Sequence, residues 1–462
     1  MNCPRIVIAG VHSGVGKTTV ATAIMRALTA SGVRVQPYKV GPDYIDPGYH
    51  TAATGCISRN LDAWFLGGDG ITEMFLRSAA GADIAVIEGV MGLYDGRGSG
   101  DEGSTAHVAR LLNAPVVLVL DARSMARSAA AMVLGYKSFD SRLNLCGVIL
   151  NRVGSDRHYT LLKAAIEAGT GVPVLGRIGY SAGMELPERH LGLLPTAEKD
   201  NLSGLLDNMA HIIREGLDLE MLVKLAGTGP PLSLPEKRIF PDTPEERLVR
   251  IGLVRDSAFN FYYQDGLDLL SFLGAELVEC SSLEGGLPPG LDGLYIGGGF
   301  PEMFAGDISR NKEFIQGIRL AHSLGMPIYA ECGGMMLLSE SVTNFNGQTH
   351  AMAGIIPGRT VMLKKRAALG YVVAEVLNKS IIAPAGRRIR GHEFHYSELR
   401  NADSSQWAYL LNKEGEGRPR PDGYVSGNVL ASYLHIHFAG CPEEAAGFVN
   451  ACRDYKYMRE HQ

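Results

Sequence analysis

The run IVIAGVHSGVGKTTVATAIM places an apolar strand, a glycine-rich turn and a helix in the order that cradles phosphates. Backbone N–H groups of such a turn, with the N-terminus of the helix, supply a positive field. Gly14 and Gly16 let the backbone approach an anion, Lys17 reaches the outer phosphates of ATP, and the Thr18 hydroxyl is placed to hold Mg2+. The turn is one residue longer than the commonest phosphate loop, because Gly10 comes first and Val11 stands five residues before Gly16. Flanking acids must then say what the nucleotide is for, since the same loop serves switches, pumps and enzymes. In KVGPDYIDPGYH, Lys39, Asp43 and Asp46 follow a predicted strand, Glu88 ends the strand of DIAVIEG, and Asp95 lies in the next loop. Thr18, Asp43 and Glu88 form the expected magnesium set, while Lys39, Asp46 and Asp95 are expected to face an anionic substrate. Each acid taken alone also reads as a loop cap or a surface charge. Asn151, which follows the strand GVIL, is placed either to read an adenine edge or to form a turn.

A second chemistry begins in MPIYAECGGMM, which predicts a buried strand, a sharp turn and a helix, with Cys332 on the elbow. A thiol there points into a cleft, where N–H groups of the following helix stabilise its thiolate and a developing oxyanion. Gly297, Gly298 and Gly299 follow another strand, and Gly298, Gly299 and Gly333 are the expected oxyanion donors. The nucleophile needs a base. NVLASYLHIHF offers His435 and His437 on alternating residues, which face opposite ways if the segment is a strand, so that one of them meets Cys332. A lone buried Cys is usually a small hydrophobe, and a lone His is usually structural. The combination of a Cys elbow with a His about one hundred residues later fits Cys–His glutaminase chemistry. Cys332 then attacks the glutamine side-chain amide, a thioester forms, ammonia leaves, and His435 takes and returns the proton.

Parallel sheets are needed to position these groups. Apolar β-branched runs alternate with helix-length segments, the pattern of an α/β fold whose crossovers are helices. Residues 5–9, 84–87, 116–120 and 148–150 read as buried strands that break into loops at their carboxyl ends, where ligands bind in open α/β sheets. A second set reads as strands at 250–254, 275–278, 293–296 and 327–330. Between the sets lies GTGPPLSLPEKRIFPDTPEE, rich in proline and charge. The expected division is a nucleotide-binding domain at 1–227, a linker at 228–248, a glutaminase domain at 249–441 and a tail at 442–462, and the resemblance described below implies that the first activates carboxylates and the second is a glutamine amidotransferase.

Composition narrows the function classes. A chain of 462 residues, 46% hydrophobic and 20% charged, has material for two cores. A net charge of -5 with dispersed basic residues gives no electrostatic reason to expect nucleic acid. No apolar stretch is long enough to span a bilayer, and MNCPRIVIAG lacks the pattern of a secretory signal. Seven scattered cysteines show no zinc or disulfide spacing, so a reducing cytoplasm is expected.

In the ordered motifs HSGVGKTT, KVGPDYIDP, IEGVMGLYDG, GVILNRV, DSAFNFYYQDGLDLL, GGGFPE, AECGGMM, GHEFHYS and ASYLHIHF, residues 4 to 440 resemble the cobyrinate a,c-diamide synthase family of cobalamin biosynthesis. The lengthened phosphate turn is similar to that of the dethiobiotin synthetase branch. The resemblance implies a P-loop, dethiobiotin-synthetase-like parallel-sheet domain followed by a class I glutamine amidotransferase-like α/β domain. It implies that ATP phosphorylates a side-chain carboxylate of a tetrapyrrole and that ammonia from glutamine displaces the phosphate, twice, at the c and a acetates of a corrin. The family's nucleophile falls on Cys332, its base on His435, and its acids on Asp43, Glu88 and Asp95. Tyr44 and Ile45 fall where the seated acetate is chosen. Most glutaminases of this class carry a Glu two residues after the base. Here that position is His437, a departure the family shares, which leaves Glu393 in GHEFHYS as the candidate to orient His435.

The same fold and sites fit amidation of nickel-sirohydrochlorin or hydrogenobyrinate. From another class, a partitioning-type ATPase switch joined to a binding module fits the first half, but such a switch has no use for Cys332 on an elbow.

Overall fold

The computed structural model describes residues 3–461, apart from 181–183, 185–187, 190–191, 194–200, 402–403 and 416. Contacts divide the chain into two units, Met1–Arg238 and Ile239–Gln462, and the division falls within the segment read as a linker.

The first unit is built on β1 (Arg5–Gly10), β2 (Val35–Val40), β3 (Arg59–Leu61), β4 (Ile84–Glu88), β5 (Val116–Asp121), β6 (Leu145–Val153) and β7 (Val174–Gly179). They form one sheet in the order β3-β2-β4-β1-β5-β6-β7, parallel throughout. Strands β1, β4 and β5 are buried along their whole length. That burial explains their unbroken Val/Ile/Leu character, because a parallel sheet is covered on both faces. β4 lies between β1 and β2, with Glu88 in register with both Ile8 and Lys39. The carboxyl ends of these three strands therefore lie side by side. Helix α1 (Lys17–Ala30) starts from the turn after β1, and α2 (Asp46–Thr54) from the loop after β2.

The second unit is built on β8 (Val249–Val254), β9 (Ala275–Cys280), β10 (Gly293–Ile296), β11 (Ile328–Glu331), β12 (Tyr424–Ser426) and β13 (Val429–Ser432). Their order is β9-β8-β10-β11-β13-β12, parallel except for the β12–β13 hairpin. A short helix α3 (Gly333–Leu338) follows β11 after a single residue, Cys332. Two further four-stranded sheets arise between α3 and β12. The last residues, read as a tail, instead form α4 (Pro442–Glu460), which packs on β8 and buries Ala445, Phe448, Val449, Cys452 and Tyr455. Its apolar spacing is interrupted by charges, which hid the buried face from a reading by composition. Among the described residues no helix is long and apolar enough to cross a membrane.

Candidate functional site

In the turn between β1 and α1, Gly14 and Gly16 have φ of 82° and 92°, backbone that favours glycine. A Cβ on Gly16 would also lie 2.5 Å from Nδ2 of Asn151. That amide nitrogen donates to the carbonyl of Val15 at 2.8 Å, so Asn151 braces the turn from the end of β6. Lys17 lies over Gly10, where any Cβ would be 2.8 Å from its Cγ and Cδ. Burial, and then the charge of Lys39, lower the Lys17 ammonium to about 8. A cation so placed regains stability when a phosphate arrives.

The acids gather at the adjoining strand ends. Thr18 Oγ1 donates to Glu88 Oε1 at 2.6 Å and lies 3.3 Å from Asp46 Oδ2. Lys39 Nζ bridges Asp46 at 2.5 Å and Glu88 at 2.7 Å. On its other oxygen Glu88 meets His50 Nε2 at 2.7 Å, and His50 Nδ1 lies 3.3 Å from Ser58 Oγ. Burial alone would raise the Glu88 carboxyl, but Lys39 and His50 outweigh it and hold it well below the usual range. Asp46 is pushed up, by burial first and then by Asp43.

Asp43 and Asp46 are placed differently from expectation here. Asp43, expected beside magnesium, turns its Oδ1 onto the N–H groups of Ile45 at 2.8 Å and Asp46 at 3.0 Å. An acid just before a helix satisfies N–H groups that have no partner within it. Asp46, expected at the substrate, lies beside Thr18 and Glu88 instead. Tyr44 and Ile45 are half-buried between these acids. Asp95 Oδ2 accepts from the N–H of Gly92 at 2.9 Å, in a loop that reaches the phosphate turn through Leu93 N–H to the Gly10 carbonyl at 2.9 Å. Among the described residues no three His, Cys, Asp or Glu side chains are gathered as a metal-binding group. The oxygens of Thr18, Asp46 and Glu88 nonetheless fit Mg2+, which takes few protein ligands and keeps water and phosphate for the rest.

In the second unit Cys332 has φ 48° and ψ -101°, a strained conformation for any residue but glycine. The strain is held by close backbone packing. A Cβ on Gly334 would be 2.3 Å from the Ile296 carbonyl, and one on Gly333 would be 3.2 Å from the nitrogen of Gly299. The Gly299 nitrogen and the backbone of Gly333, next to Cys332 in the chain, thus lie close together. Gly298 lies against the base itself, since its Cβ would be 2.6 Å from His435 Cε1. Of the groups that act on the His435 imidazole, the Cys332 side chain raises it most. Burial would lower this imidazole, but Cys332 and then Glu331 outweigh burial and raise it to about 10.

His437 faces elsewhere, stacked on Tyr263 with ring centroids 4.6 Å apart, and burial lowers it to about 3. Strand β13 ends at Ser432, so these histidines lie in the extended chain beyond it and not in the strand expected for them. Glu393 does not orient His435. It pairs with Arg420 and lies 3.7 Å from His395 Nε2, while its neighbour His392 exchanges two backbone hydrogen bonds with His435 at 2.9 and 2.8 Å.

Sequence reasoning missed three residues. Glu331 Oε2 lies 3.5 Å from His435 Nδ1, Tyr262 receives the Gly297 N–H at 2.8 Å on its hydroxyl, and His50 supports Glu88. The signal for Glu331 was present, because an acid closing an apolar strand directly before a nucleophile is buried with it.

A phosphate loop with clustered acids, joined in one chain to a thiol–imidazole elbow, defines a carbon–nitrogen ligase that takes its nitrogen from glutamine. Residues 6–194 match the CobQ/CobB/MinD/ParA nucleotide binding domain family, and residues 250–442 match the CobB/CobQ-like glutamine amidotransferase domain family. A protein of Dehalococcoides mccartyi called cobyrinate a,c-diamide synthase is 46% identical over 98% of this chain and 99% of its own. Proteins of the same name from Caldanaerobacter subterraneus and Archaeoglobus fulgidus are 43% and 44% identical, covering 98% and 97% of this chain and 99% and 97% of their own. The chain belongs to the cobyrinate a,c-diamide synthase family. Among solved structures, PurLQS from Thermotoga maritima covers 46% of this chain and 99% of its own at 17% identity and a TM-score of 0.32, a likeness too slight to add to the fold.

Proposed function

We propose that this protein amidates the a- and c-acetate carboxylates of cobyrinate in cobalamin biosynthesis, using ATP and glutamine. What carries the reading is identity of 46% over nearly the whole length of relatives named for that product. In the first unit a substrate carboxylate oxygen attacks the γ-phosphorus of ATP, ADP leaves, and an acyl phosphate forms. Lys17 holds the transferring phosphate, and Lys39, Tyr44, Ile45 and Asp95 border the acetate, with Asn151 on the adenine side. Mg2+, held by Thr18, Asp46 and Glu88, would neutralise the β and γ phosphates.

In the second unit the Cys332 thiolate attacks the side-chain amide carbon of glutamine, and the N–H groups of Gly298, Gly299 and Gly333 receive the oxyanion. His435 gives its proton to the departing nitrogen, which leaves as ammonia, and a thioester remains. Water, losing a proton to His435, then releases glutamate and restores the thiol. Ammonia attacks the acyl phosphate, and inorganic phosphate leaves an amide. Two such cycles give the diamide, and the co-substrates accord with a cytoplasmic enzyme.

The test is amidation of cobyrinate, hydrogenobyrinate and nickel-sirohydrochlorin in parallel with ATP, Mg2+ and glutamine, followed by mass spectrometry. Cobyrinate is expected to gain two amides in preference to the others. Preference for nickel-sirohydrochlorin would overturn the substrate, and ATP hydrolysis without amidation of any of the three would overturn the ligase reading of the first unit.

A further inference from the structure

A thiol–imidazole pair works only if the ring is held in one tautomer and one orientation, and a carboxylate on the far nitrogen is the usual means. In this chain the position two residues after the base cannot supply it, because His437 stacks on Tyr263. Glu331 lies on the other side of the nucleophile, is 1% exposed, and turns Oε2 toward His435 Nδ1 at 3.5 Å. Three donors hold this carboxylate still: Tyr329 Oη at 2.5 Å and the Ile436 N–H at 3.2 Å on Oε1, and Tyr295 Oη at 3.4 Å on Oε2. We propose that Glu331 is the positioning carboxylate of the Cys332–His435 pair, so that the acid comes from the residue before the nucleophile and not from the chain after the base. The proposal rests on the glutaminase reading of that pair.

The backbone gives this arrangement its rigidity. Glu331 is in register with Ser432 of β13, and the Cys332 N–H donates to the Ser432 carbonyl at 2.7 Å. Acid and nucleophile are therefore consecutive residues fixed to one neighbouring strand. Three residues beyond Ser432, the His435 backbone is pinned by its two hydrogen bonds to His392. What remains free is rotation of the imidazole ring, and the Glu331 charge facing Nδ1 at 3.5 Å biases it toward the orientation that leaves Nε2 to the thiol. The other titratable groups that feel Glu331 or His435 are Tyr262, Tyr295, Tyr329, Tyr409, Cys441 and His392. Burial pushes the phenols and the Cys441 thiol up, and pushes His392 down to about 3. Near neutral pH these six are uncharged, which leaves Cys332 and Glu331 as the groups that raise His435.

The experiment measures glutamate release from glutamine across pH for the native full chain, Glu331→Gln, Glu331→Asp and Tyr329→Phe, with thermal melting of each. Glu331→Gln is expected to lose on the order of 10²-fold in kcat with little change in KM. Its basic limb should move to lower pH, because a carboxylate that raises His435 is gone. Glu331→Asp should recover part of the rate and of the limb position. If Glu331→Gln does not fold, Glu331→Asp and Tyr329→Phe carry the same readout, each with a smaller shift in the same direction. An unshifted limb in every folded variant would overturn the proposal whatever the loss of rate, since a packing defect slows catalysis without moving a titration. No glutamate release by the native protein would overturn the glutaminase reading, and the proposal with it.

Discussion

Replacing Gly334 by Ala separates two physical effects of opposite sign. Within a helix the change should stabilise by about 1 kcal/mol, since Ala is the better helix former. In this fold the added Cβ would lie 2.3 Å from the Ile296 carbonyl oxygen and 3.1 Å from the Ile296 Cβ. The obstacle is the backbone at the end of β10, which has no rotamer to change. To restore ordinary contact α3 must retreat by roughly 1 Å, at an overpacking cost of about 1–3 kcal/mol. A domain with ~5–15 kcal/mol of stability survives that loss. Catalysis does not, because the retreat carries Cys332 and the Gly333 N–H away from Gly299, and a shift of about 1 Å costs on the order of 10²-fold in rate. The assay is glutamate release from glutamine beside amidation driven by ammonium chloride, with thermal melting of the same samples. The expected result is a lower Tm, a glutaminase kcat reduced about 10²-fold and ammonium-driven amidation close to native. A Tm equal to or above the native value, with glutaminase activity within about threefold, would refute the reasoning, because helix propensity would then have outweighed the contact.

Cys332→Ser is expected to abolish glutamine-dependent amidation while ammonium still supports it; full glutamine-dependent activity would mean that another residue is the nucleophile. Lys17→Ala should abolish amidation with either nitrogen source, and survival with ammonium would remove Lys17 from the phosphate site. Since Lys17 is lowered to about 8 in the free protein and an anion would raise it, nucleotide binding near pH 9 should take up protons. Calorimetry in two buffers of different ionisation enthalpy reads that uptake, which Lys17→Ala should remove. His435 is raised to about 10 from 6.5, so its contribution to stability is fully present below pH 6.5 and is lost as pH rises through about 10. The Tm of the native protein should therefore fall more steeply than that of His435→Gln as pH is raised from neutral to 10; parallel curves would contradict the raised value.

The sheet strands around both sites were legible because burial on both faces demands an unbroken apolar run, and the observed strands differ from the expected ones by at most three residues at either end. The phosphate turn was legible for a related reason, since positive φ at Gly14 and Gly16 and the placement of Lys17 are local properties of a few adjacent residues. Cys332 on its elbow belongs to the same kind. Local spacing could not say which of Asp43 and Asp46 adjoins Thr18. Both follow one strand, β2, and lie three residues apart, and the choice depended on which of them the first turn of α2 engaged as a cap. Nor could spacing find the partner of His435. Glu393 is a chain neighbour of the residue that pins the His435 backbone, yet it faces Arg420, while Glu331 reaches the ring from a different strand. By itself, then, the sequence determined the chemistry available: a phosphate loop, an acid cluster and a thiol elbow, each set by neighbours along the chain. Tertiary structure decided which acid serves which group, because a carboxylate acts through space over a few ångströms, and those distances come from strand order and register.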